Sequence, residues 1–324
     1  MLSIVFGHFA GHGIFHKDNS VIQTLDLAVS YAVGAFAFIS GWYSIRFGLW
    51  RFFKFVCLGL FYSGFVGMLT PILLGRWHFE FSLGWFGNSY LGLMLLAPFL
   101  NAGVDWMRRE SPRNLLLLWL VYAGLMFVSW LPLPMAGVCF APSGWGSASV
   151  NTLVFFYLTG RIFSQSERIR VMPQWMWVVV FVLSDMGYVG WSVCGHFFRG
   201  NGTFFGWLLN SHASYMNPFI VCASIAIFFV FLKLPSSINR HLGLVSFLAP
   251  SMFSVYLIHE GCNRQVSLWL YSSLETTLRP YVGTGTFTAI ANIVLSTLIV
   301  FASCTAIDLI RRLALCHIKA KRIA

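Results

Sequence analysis

Apolar residues run along this chain in long unbroken stretches, with no alternation of apolar and polar positions, and short polar connections part them. A helix needs about 20 apolar residues to cross a bilayer. The stretches predict about ten such helices, at 1–16, 27–45, 52–75, 85–104, 114–132, 149–163, 174–196, 217–234, 245–262 and 284–308. Lipid leaves an open sheet edge unsatisfied, so spans are helices or a closed barrel. A barrel strand alternates apolar and polar side chains, and these stretches do not. The first is short and opens at Met1 with no basic flank.

Composition agrees. The chain is 58% hydrophobic and only 10% charged, whereas soluble domains carry roughly 25% charged residues. The expected fold is all-α, a polytopic membrane helix bundle forming one domain over 1–324. The net charge of +11 looks at first like a nucleic-acid signal, but its distribution points to topology. Alternate connections hold Arg46, Arg51 and Lys54; Arg108, Arg109 and Arg113; Arg161, Arg168 and Arg170; and Lys233 and Arg240. The C-terminal tail adds Arg311, Arg312, Lys319, Lys321 and Arg322, and the other connections keep only Lys17, Arg76, Arg199, Arg264 and Arg279. Cytoplasmic loops carry the Lys/Arg excess, so both chain ends are expected in the cytoplasm, with the bilayer and not nucleic acid as partner. The connections 133–148 and 197–216, rich in Gly, Ser, Pro and aromatics, suit a cap on the opposite side. The seven Cys are scattered, with no C-x-x-C pair, and no disulfide framework or zinc ribbon is expected. No basic n-region marks a cleavable signal.

Ionisable groups in apolar runs are costly and face a bundle interior or a cavity. His8, His12 and His16 are spaced four apart, along one helix face, with Asp18 and Asp26 following. Three readings stay open. His8 is a general base, because neutral imidazole takes protons near pH 7. Or the ladder binds a metal or haem. Or the histidines simply satisfy bundle neighbours. His259 and Glu260 close the apolar run that starts at Met252, as an interfacial polar pair or a second catalytic group. Asp185 lies within a span and either pairs with an Arg or Lys or lines a cavity. Arg161 ends a span as a snorkelling anchor or a phosphate clamp. Neither a G-x-S-x-G elbow nor a Walker loop is present.

Several stretches resemble the membrane acyltransferase-3 family, and in particular its capsule and exopolysaccharide O-acetyltransferase branch. They are Ile4 to His8; Phe36-Ala37-Phe38-Ile39-Ser40-Gly41-Trp42; Trp85 to Leu93 with Ala97 to Asn101; Ser214-Tyr215-Met216-Asn217-Pro218; Ser251 to Glu260; and Ala306-Ile307-Asp308 with Arg311 and Arg312. In the family's order they cover nearly the whole chain. The resemblance implies transfer of an acyl group, usually acetyl, from acyl-CoA to a hydroxyl of a cell-surface polysaccharide or lipid-linked glycan. It makes His8 the catalytic base, with His259 and Glu260 as further site candidates. No bound cofactor or metal is implied, since acyl-CoA is a substrate. Its phosphates suit the cations Arg46, Arg51, Lys54, Arg161 and Arg168. Trp85, Asn88, Tyr90, Tyr215 and Asn217 suit a sugar acceptor. The family places an Arg farther upstream of its key His than this chain extends, and either an upstream start that the chain lacks or a truncated gene would account for this and for the short first stretch. The competing function is a transporter or flippase of polysaccharide or lipid-linked sugar. It predicts internal inverted repeats, and none is apparent between the halves.

Overall fold

The computed structural model describes residues 1–15, 20–130, 149–197, 215–234, 243–282 and 285–323. All regular structure among them is helical: α1 (Leu2–His12), α2 (Ser20–Ala28), α3 (Tyr31–Tyr43), α4 (Leu49–Leu74), α5 (Gly84–Glu110), α6 (Pro112–Trp130), α7 (Val150–Phe163), α8 (Glu167–Val171), α9 (Gln174–Phe197), α10 (Pro218–Leu232), α11 (Gly243–Leu248), α12 (Met252–Tyr256), α13 (Arg264–Val282) and α14 (Thr286–Ile323). Among the described residues, five helical stretches are long and apolar enough to cross a membrane: Val21–Tyr43, Leu49–Leu74, Gly84–Glu110, Gln174–Cys194 and Thr286–Leu315. Helices over Pro112–Phe127, Val150–Phe163 and Pro218–Leu232 are apolar but shorter. His16, Asp18 and nearly all of the two expected cap connections lie outside the described residues.

Two expected spans take another form. The first stops at His12, where Gly13 closes the last turn by donating its N–H to Phe9 O. The stretch expected as one helix over 245–262 is broken into α11, a 3₁₀ turn at Ala249–Ser251, α12 and a π-turn at Leu257–Gly261. Pro250 lies in the first break, and proline interrupts the helical hydrogen-bond ladder. The π-turn ends with Cys262 N–H donating to Leu257 O at 3.0 Å.

The chain divides into two compact units. One comprises Met1–Asp26, Phe53–Gly87 and Pro235–Ala324. Here α1 packs on α13 and α14, and α12 packs on α14. Val5, Phe9, Ile22, Val255, Tyr271 and Ile293 form its core. The other unit comprises Leu27–Phe52 and Asn88–Leu234. Here α3 packs on α7 and α10, and α9 packs on α10.

Small residues let membrane helices approach closely, and α3 and α7 depend on this. A Cβ on Gly41 would lie 1.9 Å from Tyr157 O, and one on Gly160 would lie 2.3 Å from Phe38 O. Both obstacles are backbone and cannot rotate away. Gly41→Ala and Gly160→Ala are each expected to destabilise the protein by about 1–3 kcal/mol or more. Gly124→Ala is the control, since its Cβ meets nothing within 4 Å, and it should be neutral or stabilising by up to about 1 kcal/mol. Thermal unfolding of the purified variants checks the difference.

Candidate functional site

Within the first unit, α1 and the π-turn bring two histidines together from positions 251 apart, with His8 Nδ1 lying 3.0 Å from His259 Nε2. The remaining contact of His259 fixes the proton positions. Its Nδ1 lies 2.6 Å from Val255 O, and a carbonyl only accepts, so Nδ1 carries the hydrogen. In a neutral ring Nε2 is then the acceptor, and His8 Nδ1–H donates to it. The lone pair of His8 is thereby placed on Nε2, the nitrogen that a general base uses. His259 is fully buried, whereas the His8 side chain is 21% exposed. The inner ring is locked and the outer ring is reachable.

Glu260 joins them, with Oε2 3.9 Å from His8 Nδ1. Arg264, one turn on, donates to Glu260 Oε1 at 2.5 Å, and Tyr271 O–H donates to Oε2 at 2.6 Å. Burial, then the adjacent Glu260 carboxylate, holds the Tyr271 phenol well above its ordinary pKa, so it stays a neutral donor. Glu260, accepting from both donors, is positioned beside the imidazole that would become cationic on taking a proton. His12 stacks on His8 with ring centroids 6.0 Å apart. π-turns often mark functional sites, and this one carries both His259 and Glu260.

The segment that ends α1 is held by a buried acid. Ile14 N–H donates to Glu275 Oε2 at 2.5 Å, and Glu275 on α13 is fully buried. A Cβ on Gly13 would lie 2.2 Å from Glu275 Oε1, so a larger residue there would displace that carboxylate. Burial pushes the Glu275 carboxyl up from 4.5 to about 7, against the opposing backbone donors. The folded state thus binds this proton more tightly than the unfolded chain does. The stability linked to it is complete below about pH 4.5 and is lost as pH rises through about 7. Glu275→Gln should remove that part of the pH dependence, which unfolding midpoints between pH 4 and pH 8 would reveal as a flatter profile.

The remaining residues singled out in the sequence are spread over both units. Arg46 and Arg51 lie in the second unit and Lys54 in the first, all exposed. Arg46 follows a tied loop: Ser44 has φ 62, and Ile45 is held at both ends. Ile45 N–H donates to Tyr157 Oη at 3.1 Å, and Ile45 O accepts from Asn101 Nδ2 at 3.2 Å. Tyr157 O–H donates in turn to Asn101 Oδ1 at 2.8 Å. Arg161 is paired with Asp105 at 2.7 Å, a partner the sequence reading did not supply. Arg168 is exposed on α8. Trp85 falls in the first unit, and Asn88, Tyr90, Tyr215 and Asn217 fall in the second. Tyr90 Oη meets Ser40 Oγ at 3.1 Å. Asn217 is fully buried and caps α10 by accepting from Phe219 N–H at 2.9 Å. Asp185 forms no ion pair among the described residues. Among the described residues no three His, Cys, Asp or Glu side chains are grouped to hold a metal ion.

Tyr271, Glu275 and Arg264 were not expected in the site. The signal was a polar stripe at helical spacing, Ser267, Tyr271 and Glu275 four apart on α13, and Arg264 four after Glu260.

Residues 1–310 match the family model described as an acyltransferase domain. No curated protein and no solved structure matches the chain.

Proposed function

The chain belongs to the acyltransferase-3 family, and from that premise we propose that it is a membrane O-acyltransferase moving an acetyl group from acetyl-CoA to a hydroxyl of a cell-surface polysaccharide or its lipid-linked precursor, as in the capsule and exopolysaccharide branch. The observation that carries the reading is the His8–His259 pair, which leaves a base on His8 Nε2. As the acceptor oxygen bonds to the thioester carbonyl carbon, His8 Nε2 takes the hydroxyl proton. The C–S bond then breaks, and the imidazolium returns that proton to the departing thiolate, giving an ester and free CoA thiol. Glu260, 3.9 Å from His8, favours the transient cation.

The donor's phosphates are assigned to Arg46, Arg51, Lys54, Arg161 and Arg168 on the strength of their charge; Arg161 serves only if it shares its guanidinium with Asp105. Trp85, Asn88, Tyr90 and Tyr215 are assigned to the sugar acceptor. Asn217 is assigned to the fold, because it is buried and caps a helix. About ten spans in the cell membrane, with both ends cytoplasmic, complete the reading; the alternation of Lys and Arg along the chain supports it.

The test is direct. Protein purified into lipid vesicles is given acetyl-CoA labelled in the acetyl group, together with surface polysaccharide from a strain lacking this protein. Label should enter the polymer in an alkali-labile ester, with an equal yield of free thiol. If no acyl-CoA labels any glycan, the proposal fails.

A further inference from the structure

In the second unit, α6 meets α7 through two polar contacts: Trp119 Nε1–H donates to Thr159 Oγ1 at 2.9 Å, and Tyr122 O–H donates to Asn151 O at 3.2 Å. It stands away from α5. The gap is a groove of about 390 Å³ whose walls include Phe99, Gly103 and Met107 of α5, Leu118 and Tyr122 of α6, and Leu158 of α7. The wall residues of α5 recur at helical spacing, so the groove runs lengthwise along the helix. Its walls are nearly all apolar. Phe99 is 76% exposed and Leu118 is 55% exposed. In a membrane protein such a gap does not stay empty, because wall atoms without neighbours forfeit their dispersion contacts.

What fills it is indicated by its end. The groove extends toward the tight link between α5 and α6, where Met107 and Leu115 line it. Arg108, Arg109 and Arg113 lie at that link, all exposed. Arg108 donates to Gln165 O and Arg109 to Asp105 O, one contact each, and a guanidinium has further donors. Asp105 is taken by Arg161, and among the described residues Arg108, Arg109 and Arg113 form no ion pair. An apolar groove parallel to a membrane helix, ending in surplus arginines, has the chemistry of a phospholipid with an anionic head. Basic pockets between membrane helices bind such heads.

We propose that the α5–α6–α7 groove is a binding site for one anionic glycerophospholipid, with acyl chain in the groove and phosphate on Arg108, Arg109 and Arg113. The site is independent of the acyl-transfer reading, and its test does not use activity.

The protein is purified in a mild detergent, and the lipid that stays with it is extracted and identified by mass spectrometry. Anionic lipid is expected in stoichiometric amount. Binding of phosphatidylglycerol to delipidated protein should exceed that of phosphatidylcholine. The double variant Arg108→Gln, Arg113→Gln should weaken phosphatidylglycerol binding about thirtyfold, at about 1 kcal/mol for each cation. Gly103→Trp should abolish retention of lipid. Its side chain leaves the backbone without a clash, since a Cβ there meets nothing within 4 Å, and replacing a helical glycine favours folding. Gly103→Leu gives the same result if the larger ring disturbs α5. The proposal is overturned if phosphatidylcholine binds as tightly, if the filled variants keep their lipid, or if filling the groove alters oligomeric state and not lipid content. The last result would assign the groove to a second copy of the chain.

Discussion

His8→Gln is expected to lower acyl transfer by about 10²–10⁴-fold, the usual share of a positioned general base, with little change in stability. Glutamine retains an N–H for His259 Nε2 but has no basic nitrogen to present to an acceptor hydroxyl. The His8 side chain is partly exposed, so the exchange leaves no buried cavity. His259→Phe separates orientation from chemistry. It keeps a ring in the buried position but removes the acceptor that holds the His8 Nδ1 proton. The loss should be smaller, about ten- to a hundredfold, in line with one hydrogen bond to a group that becomes charged. It should fall on kcat and not on the KM for acyl-CoA. The measurement is the initial rate of labelled acyl transfer at saturating donor, with protein level and melting temperature recorded alongside. Near-normal transfer by His8→Gln would remove His8 as the base.

His8, His259 and Glu260 were singled out in the sequence; their meeting was not legible there, nor were Tyr271, Glu275 and Arg264. His8, His259 and Glu260 stand out because ionisable groups in apolar runs are rare. Their convergence depends on a π-turn and on a contact across 251 positions, and helical periodicity encodes neither. The five long spans were legible because length and hydropathy alone decide them. α1 is too short for that criterion, and Pro250 breaks the stretch that leads to His259. α13 was read as a polar connection. Its inward face carries Ser267, Tyr271 and Glu275, polar residues where the usual rule seeks apolar ones, so its amphipathicity was hidden. The same limit applies to Arg161. As a span-ending cation it was visible, but its partner Asp105 lies 56 residues away on another helix.

Asp308→Ala is expected to be the most destabilising single change within the first unit, at about 3–5 kcal/mol. Asp308 on α14 is fully buried. Its Oδ1 accepts from Tyr62 O–H at 2.6 Å and from Arg311 Nε and NH2 at 2.9 and 2.7 Å. Tyr62 comes from α4, so this one oxygen ties two long helices together. Removing the carboxylate strands the Arg311 guanidinium, whose side chain is only 20% exposed, with Tyr62 Oη at 3.2 Å as its remaining contact in the cluster. The cost is that of a charge left without its counter-ion, not the worth of the pair. Breaking a buried pair costs several kcal/mol, whereas replacing both members by apolar groups is often neutral. The double variant Asp308→Leu, Arg311→Met should therefore recover most of what Asp308→Ala loses. Asp308→Asn, which keeps an acceptor at Oδ1 but no charge, should lie between. Unfolding midpoints of the three variants in one detergent decide the matter. If the double variant is no more stable than Asp308→Ala, the stranded charge is not the cause, and the cluster's contribution lies in the Tyr62 bond between α4 and α14.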